Sequence, residues 1–413
     1  MKYVIIGGSA AAMGCIEGIR AVDPAGDITL VGREPYPFYG RPLISYLLEG
    51  KTTQDKLLSY RPADYAERRG VRILRGVTAT SVDAQAHTAL LDNGEALPYD
   101  RLCIATGSTP FVPPIDGLDS VPCKTAFWTL DDALALRAML GEQRDKRVLI
   151  LGAGLIGLKC AEGIAALAAS IDVVDMATRI LPAALPEEPA AIVQRHLELH
   201  GIRFTLGDSA VRFEKDTAHL KSGKTIGFDV LVLAVGVRAN AALGQAAGCA
   251  VARGIVIDSH GQTSQPDIFA AGDCTAQADP DTHEPRVLAI WPNAMMQGET
   301  AGRCMAGGTA SFDHPTLMNA TGFMGLHLIS AGSYEGEALI THTQDAYKAL
   351  YVRDDRLAGF IMLGDIERAG IYTSLVRERT PLHTIDFELI RETPQLMAFC
   401  ATERAKKLGG AAL

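Results

Sequence analysis

The amino-acid sequence predicts an α/β protein made of two Rossmann-like dinucleotide-binding domains followed by a C-terminal α+β domain. Three observations support this. The apolar run Tyr3-Val4-Ile5-Ile6 breaks into Gly7-Gly8-Ser9-Ala10-Ala11-Ala12 and then into an amphipathic stretch. The same passage recurs as Val148-Leu149-Ile150-Leu151 followed by Gly152-Ala153-Gly154-Leu155-Ile156-Gly157. The register agrees beyond the glycines, since Cys15-Ile16-Glu17-Gly18-Ile19 matches Cys160-Ala161-Glu162-Gly163-Ile164 at the same offset. A repeated strand–turn–helix unit implies two bound nucleotides, and electron transfer is the chemistry that brings two together.

The first unit reads as a strand at 2–7, a helix at 10–22 and a strand at 28–32, with Glu34 just beyond. Residues 35–43 follow as a loop, being too rich in proline and aromatics for a helix. Residues 71–105 alternate as β-hairpins do, with Asp92-Asn93-Gly94 as a turn. They close on a strand that enters the glycine turn Ala105-Thr106-Gly107, and the proline-rich stretch 110–114 reads as a crossover between domains. The second unit repeats with strand 147–152, helix 155–168, strand 171–175, a helix near 187–200 and a strand ending at Gly236. β-type patterning returns at 254–258 and 268–273. From about residue 315, alternating runs such as Ala349-Leu350-Tyr351-Val352 precede a helical stretch near 366–378, which is an α+β pattern. The expected domains are 1–110 with 241–315, 111–240 and 316–413.

At 413 residues the chain can bury several cores, and its formal charge of −9 disfavours nucleic acid and gives no polybasic membrane anchor. A core strand beginning at residue 3 leaves no room for a cleavable signal, and no apolar run reaches 18 residues. A cytoplasmic protein is expected. Eight cysteines lie at 15, 103, 123, 160, 249, 274, 304 and 400, with no C-x-x-C pair. His196 and His200 have helical metal spacing, but Leu197 stands where a catalytic zinc motif carries glutamate, so no metal is expected.

A pyrophosphate needs backbone N–H donors, the positive end of a helix and no bulk in the way. Gly152, Gly154 and Gly157 meet all three glycine positions, and Asp175, 23 residues beyond Gly152, is placed to accept adenosine ribose hydroxyls. The first copy is degenerate, with Ser9 at the middle position and Ala12 at the last, and Glu34 lies 27 residues beyond Gly7. Downstream, Ala270-Ala271-Gly272-Asp273 adds a second half to that site.

With these motifs the chain resembles the pyridine nucleotide–disulfide oxidoreductase superfamily, a glutathione-reductase-like fold using FAD and NAD(P)H. The resemblance implies that the first unit (Gly7, Ser9, Ala10, Ala11, Ala12, Arg33, Glu34) binds FAD. It further implies FAD contacts from Ala79 and the turn Ala105, Thr106 and Gly107, with Gly272-Asp273 holding the ribityl chain. Arg41-Pro42 matches the loop that touches the FAD phosphates, and Trp291, Asn293 and Ala294 match a helix start facing the flavin pyrimidine edge. NADH would lie on Gly152, Gly154, Leu155, Ile156, Gly157 and Asp175, with Gly236 beyond; NADPH is the poorer fit, because Asp175 has no cation in Met176-Ala177-Thr178.

Many relatives pass electrons through a cysteine pair or a single cysteine, but here Tyr46 stands at the place of the single thiol. Lys159 replaces a glutamate common two residues after the last glycine. Both positions are expected near the rings. The run Leu363-Gly364-Asp365-Ile366-Glu367-Arg368-Ala369-Gly370 resembles the branch containing NADH–rubredoxin reductases and the flavin part of nitrite reductases. The expected function is hydride transfer from NADH to FAD and onward transfer to a small rubredoxin- or ferredoxin-like carrier. Direct reduction of oxygen as an NADH oxidase, and a slow FAD/NADH-binding sensor, are the alternatives. Monomer and homodimer stay equally open.

Overall fold

Beyond their first residues, the strands Lys2–Ile6 and Arg147–Leu151 are buried throughout. Strands covered on both faces must be continuously apolar, and each of these sits inside a parallel sheet. In this computed structural model, which describes all residues except 279–283, 314, 316, 344 and 409–413, the first sheet has five strands. Their order is Ile268–Ala270, Arg101–Ile104, Lys2–Ile6, Asp27–Gly32 and Val71–Arg75, all parallel. In the second sheet Ser170–Asp175, Arg147–Leu151, Val230–Leu233 and Lys124–Ala126 neighbour one another in that order, again parallel. The helices of the repeat are Ala10–Arg20 and Leu155–Ile164.

The repeat runs further than the glycine turns. An antiparallel sheet of Ala79–Asp83, Thr88–Leu91 and Ala96–Pro98 has a counterpart in Ala210–Glu214, Thr217–Leu220 and Thr225–Gly227. Both carry a register shift in the first strand, between Ala79 and Ser81 and between Ala210 and Arg212. The turn at 92–94 lies where expected, with Gly94 at φ +84°. The hairpin reading of 71–105 is corrected at its two ends, because Val71–Arg75 and Arg101–Ile104 are parallel strands of the main sheet. Alternating burial alone does not distinguish a sheet edge from a hairpin arm. The loop after the first unit is also more ordered than expected. Arg41–Leu43 forms a 3₁₀ turn running into helix Ile44–Leu48, and Pro42 fits because a first turn needs no N–H there.

Helix Trp291–Met305 lies against Ala10–Arg20 at backbone contact. A Cβ on Gly14 would fall 2.1 Å from the Met295 carbonyl oxygen, and one on Gly18 2.1 Å from that of Glu299. From the other side, Gly298 and Gly302 meet the carbonyls of Ala11 and Cys15 at 2.0 and 2.2 Å. The contacts rise together in sequence, so the helices run parallel and their positive N-terminal ends point the same way.

The chain divides into two compact units, residues 1–176 with 204–315 and residues 177–203 with 316–413. The second unit holds a five-stranded antiparallel sheet in the order Met318–Phe323, Leu326–Gly332, Arg356–Leu363, Tyr347–Arg353 and Glu337–His342. Helix Ala369–Glu378 packs on it through Tyr372 and Leu375, giving the expected α+β character. Helix Glu187–Leu199 belongs to the same unit, where His196 Nε2 lies 3.1 Å from the Met324 carbonyl and His200 Nδ1 2.8 Å from the His196 carbonyl. Among the described residues no helix is long and apolar enough to cross a membrane.

Candidate dinucleotide sites

Ser9 caps helix Ala10–Arg20 from an extended conformation (φ −133°, ψ −156°), and its side chain makes no capping hydrogen bond. Gly154 caps Leu155–Ile164 in the same manner (φ −80°, ψ −177°). Neither first turn contains an acid, so both helix starts present N–H groups and an uncompensated positive end, which suits an anion. The glycines divide into two roles. Gly7 (φ +140°) and Gly152 (φ +107°) press on backbone, where a Cβ would fall 2.0 Å from the Ala105 oxygen and 2.2 Å from the Ala234 oxygen. Gly154, Gly107 and Gly236 meet nothing within 4 Å, and such open space at a glycine suits close approach of a ligand. Gly157 packs on the Gly152 carbonyl, while Leu155 and Ile156 are half-buried beside it.

The two acids beyond the second strands are held differently. Glu34 Oε1 is 2.5 Å from Arg41 Nη2, and Glu34 Oε2 accepts the Tyr39 hydroxyl at 2.5 Å. The Tyr39 oxygen accepts the Leu130 N–H at 3.1 Å, and burial pushes its phenol well above the usual range. Arg41 also donates to the Trp128 carbonyl at 3.2 Å. The residues expected at the FAD ribose and phosphates are thus brought together, with Arg33 and Pro42 exposed alongside. Asp175 instead accepts the Ala153 N–H at 2.7 Å, tying the acid to its own glycine turn. Arg179 donates to the carbonyls of Pro182 and Leu185.

Gly272 (φ +82°) sits between the parallel helix starts, where a Cβ would lie 2.9 Å from Ala11 Cβ and 3.5 Å from Ala294 Cβ. Its N–H donates to Gln297 Oε1 at 2.6 Å, and the Thr275 hydroxyl donates to the same oxygen at 3.1 Å. Asp273 accepts the Ser108 hydroxyl at 3.0 Å. Burial pushes the Asp273 carboxyl up, against the pull of Ser108 and of the Arg41 charge. The Thr106 hydroxyl donates to the Asn240 carbonyl at 2.8 Å, and the Asn240 amide returns a bond to the Thr106 carbonyl at 2.9 Å. At the helix start, Asn293 and Ala294 are buried, and the Trp291 ring meets Tyr60 edge-on at 6.2 Å. Ala79 is half-buried in the antiparallel sheet, paired with Leu91. Sequence reasoning missed Tyr39, Ser108, Trp128 and Gln297. Only Ser108, next to the Ala105-Thr106-Gly107 turn, carried a positional signal.

Tyr46 and Lys159 come together. Lys159 Nζ stands 5.0 Å from the Tyr46 ring centroid and Lys51 Nζ 5.4 Å, while Lys159 is ion-paired with the buried Glu162. The eight cysteines are free thiols. Hydrogen bonding to Cys15 and burial push the Cys103 thiol well up, burial does the same to Cys160, and Cys274 is pushed up to about 11. Protonated buried thiols are poor nucleophiles.

Residues 1–298 match the family model described as pyridine nucleotide-disulphide oxidoreductase, and residues 318–380 match the rubredoxin NAD+ reductase C-terminal domain. The chain is 31% identical over 395 residues to the NADH-dependent phenylglyoxylate dehydrogenase subunit epsilon of Aromatoleum evansii, with 92% of each chain covered. It is 34% identical over 336 residues to an NADH oxidase of Methanocaldococcus jannaschii, covering 79% of this chain and 74% of that one. In fold it is similar to the crystal structure of the covalent putidaredoxin reductase–putidaredoxin complex, with a TM-score of 0.85 and 24% identity over 99% of this chain and 98% of that chain. The chain therefore belongs to the pyridine nucleotide-disulphide oxidoreductase family, which makes it an oxidoreductase and implies FAD and NAD(H) as its cofactors.

Proposed function

We propose that the protein takes hydride from NADH into FAD and delivers electrons to a small one-electron carrier of the rubredoxin or ferredoxin kind, with no protein thiol in the path. The observation that carries this reading is the joining of two anion-ready helix starts to a C-terminal segment that matches the rubredoxin NAD+ reductase domain. FAD, when bound, supplies the group that accepts two electrons together and releases them singly. The chain supplies binding and orientation. In the first cradle the N–H groups of Ala10, Ala11 and Ala12, with the Ser9 hydroxyl, suit a pyrophosphate, and Asp273 suits a ribityl hydroxyl. The start of helix Trp291–Met305 suits the electron-rich edge of a reduced ring.

In the second cradle the open face of Gly154 suits the NADH pyrophosphate, and Asp175, tied to the same glycine turn, suits the hydroxyls of its adenosine ribose. A 2′-phosphate there would meet a carboxylate, a repulsion of roughly 1–4 kcal/mol that favours NADH over NADPH. The deciding experiment measures NADH-dependent reduction of rubredoxin, ferredoxin, oxygen and a disulfide. Carrier rates well above the oxygen rate are expected. Oxygen consumption equal to the best carrier rate would favour the NADH oxidase reading, which the relative at 34% identity keeps in play.

A further inference from the structure

Trp128 is absorbed by none of the motifs, yet it touches the partners of both acids of the first cradle. Its indole Nε1–H donates to the Ser108 carbonyl at 3.0 Å, and the Ser108 hydroxyl donates to Asp273 at 3.0 Å. Its own carbonyl accepts from Arg41 Nη1 at 3.2 Å, and the same guanidinium pairs with Glu34. Arg41 also lies over the Trp128 ring, 6.0 Å from its centroid. One residue therefore reaches Asp273 through Ser108 and Glu34 through Arg41.

Trp128 is itself held rigidly. Its N–H donates to Asp132 Oδ2 at 3.0 Å, and the neighbouring Thr129 and Asp132 form a capping box at the start of helix Leu130–Leu140. Tyr39, the second partner of Glu34, accepts from Leu130 N at the same helix start. The Lys124–Ala126 strand just before it pairs with Val230–Leu233 in the second parallel sheet. The edge of the NADH-side sheet thus serves as the anchor for the FAD-side acids.

We propose that Trp128 is a positioning residue for the flavin cradle, its indole N–H setting the Ser108–Asp273 end and its carbonyl setting the Arg41–Glu34 end. The inference rests on the reading of this cradle as the FAD site. Phenylalanine at 128 separates the two arms, because it keeps the backbone carbonyl and loses the N–H donor. The ribityl end should then weaken while the adenosine end does not.

The test uses apoprotein of wild type, Trp128→Phe and Ser108→Ala, titrated with FAD, with ADP then used to displace FAD so that only this site is read. Losing one hydrogen bond that orders the acid is expected to raise the FAD Kd about tenfold in each variant. The inhibition constant of ADP should stay within twofold of wild type. In the double variant the FAD Kd should match that of Ser108→Ala alone, since Trp128 acts there through Ser108. An unchanged FAD Kd in Trp128→Phe overturns the inference, as does equal weakening of FAD and ADP, which a general loss of structure would produce. If Trp128→Phe does not fold, Trp128→Leu, which likewise loses the N–H donor and keeps the carbonyl, takes its place, and the same FAD and ADP comparison upholds or overturns the inference. Wild-type apoprotein that takes up no FAD would defeat the underlying cofactor reading instead.

Discussion

In the first copy of the repeat the acid beyond the second strand is held by side chains: Glu34 is gripped by Arg41 and Tyr39 from the loop that follows. In the second copy the equivalent acid is held by main chain, with Asp175 accepting the N–H of Ala153 inside its own glycine turn. The middle turn position differs in parallel, a serine in the first copy and an open-faced glycine in the second. The first cradle is thus braced from a distance, through Trp128 and helix Leu130–Leu140, as suits a cofactor that stays bound. The second closes on itself and leaves room, as suits a ligand that comes and goes each turnover.

Substitution at the turn glycines should have the largest effect. Gly7→Ala and Gly152→Ala each put a Cβ about 2 Å from a carbonyl oxygen at positive φ, a cost above about 4 kcal/mol. Gly7→Ala is expected to give colourless, unstable protein. Gly152→Ala is expected to keep more of its flavin absorbance while losing reduction by NADH, and equal loss of colour in both would erase the distinction between the copies.

Next in size is Asp175. Asp175→Asn removes the carboxylate charge that a 2′-phosphate would face and weakens the bond to Ala153. The ratio of kcat/KM for NADH to that for NADPH should fall by about tenfold, with NADH efficiency itself reduced. An unchanged ratio would show that the acid only braces its turn. Gly154→Ser, which copies the Ser9 of the first unit, should raise the NADH KM a few-fold. Because nothing lies within 4 Å of that face, the melting temperature should not move.

The smallest effect concerns Asp273 in the apoprotein. Burial raises its carboxyl pKa above the unfolded value of about 3.9, so the folded protein holds this proton more tightly than the unfolded chain. That stabilisation is full below about pH 3.9 and is lost as pH rises through the raised folded value. Asparagine is neutral at every pH, so apo Asp273→Asn should melt above wild type at pH 7 and converge with it below about pH 4. A difference independent of pH would assign the effect to packing.

The glycine turns were legible because backbone geometry dictates them: Gly7, Gly152 and Gly272 occupy positive φ against neighbouring atoms that exclude a side chain. The parallel sheets followed from continuously apolar strands. Tyr39, Trp128 and Gln297 were not legible, and Ser108 only through its place beside the turn, since hydrogen bonds that join residues 20 to 165 positions apart leave no periodicity. The second antiparallel sheet was missed for a different reason. Its strands closely match those of the first in length and burial, but its turns at Lys215-Asp216 and Ser222-Gly223 lack the Asp-Asn-Gly signal that marks 92–94.

The central claim is that electrons pass from NADH through FAD to a carrier with no cysteine taking part. Anaerobic titration of the holoprotein with NADH, followed by absorbance, counts the electrons it stores. The account predicts full flavin bleaching by one NADH, two electrons per FAD, both before and after alkylation of accessible thiols. Uptake of two NADH per FAD that falls to one on alkylation would reveal a redox-active thiol and contradict it.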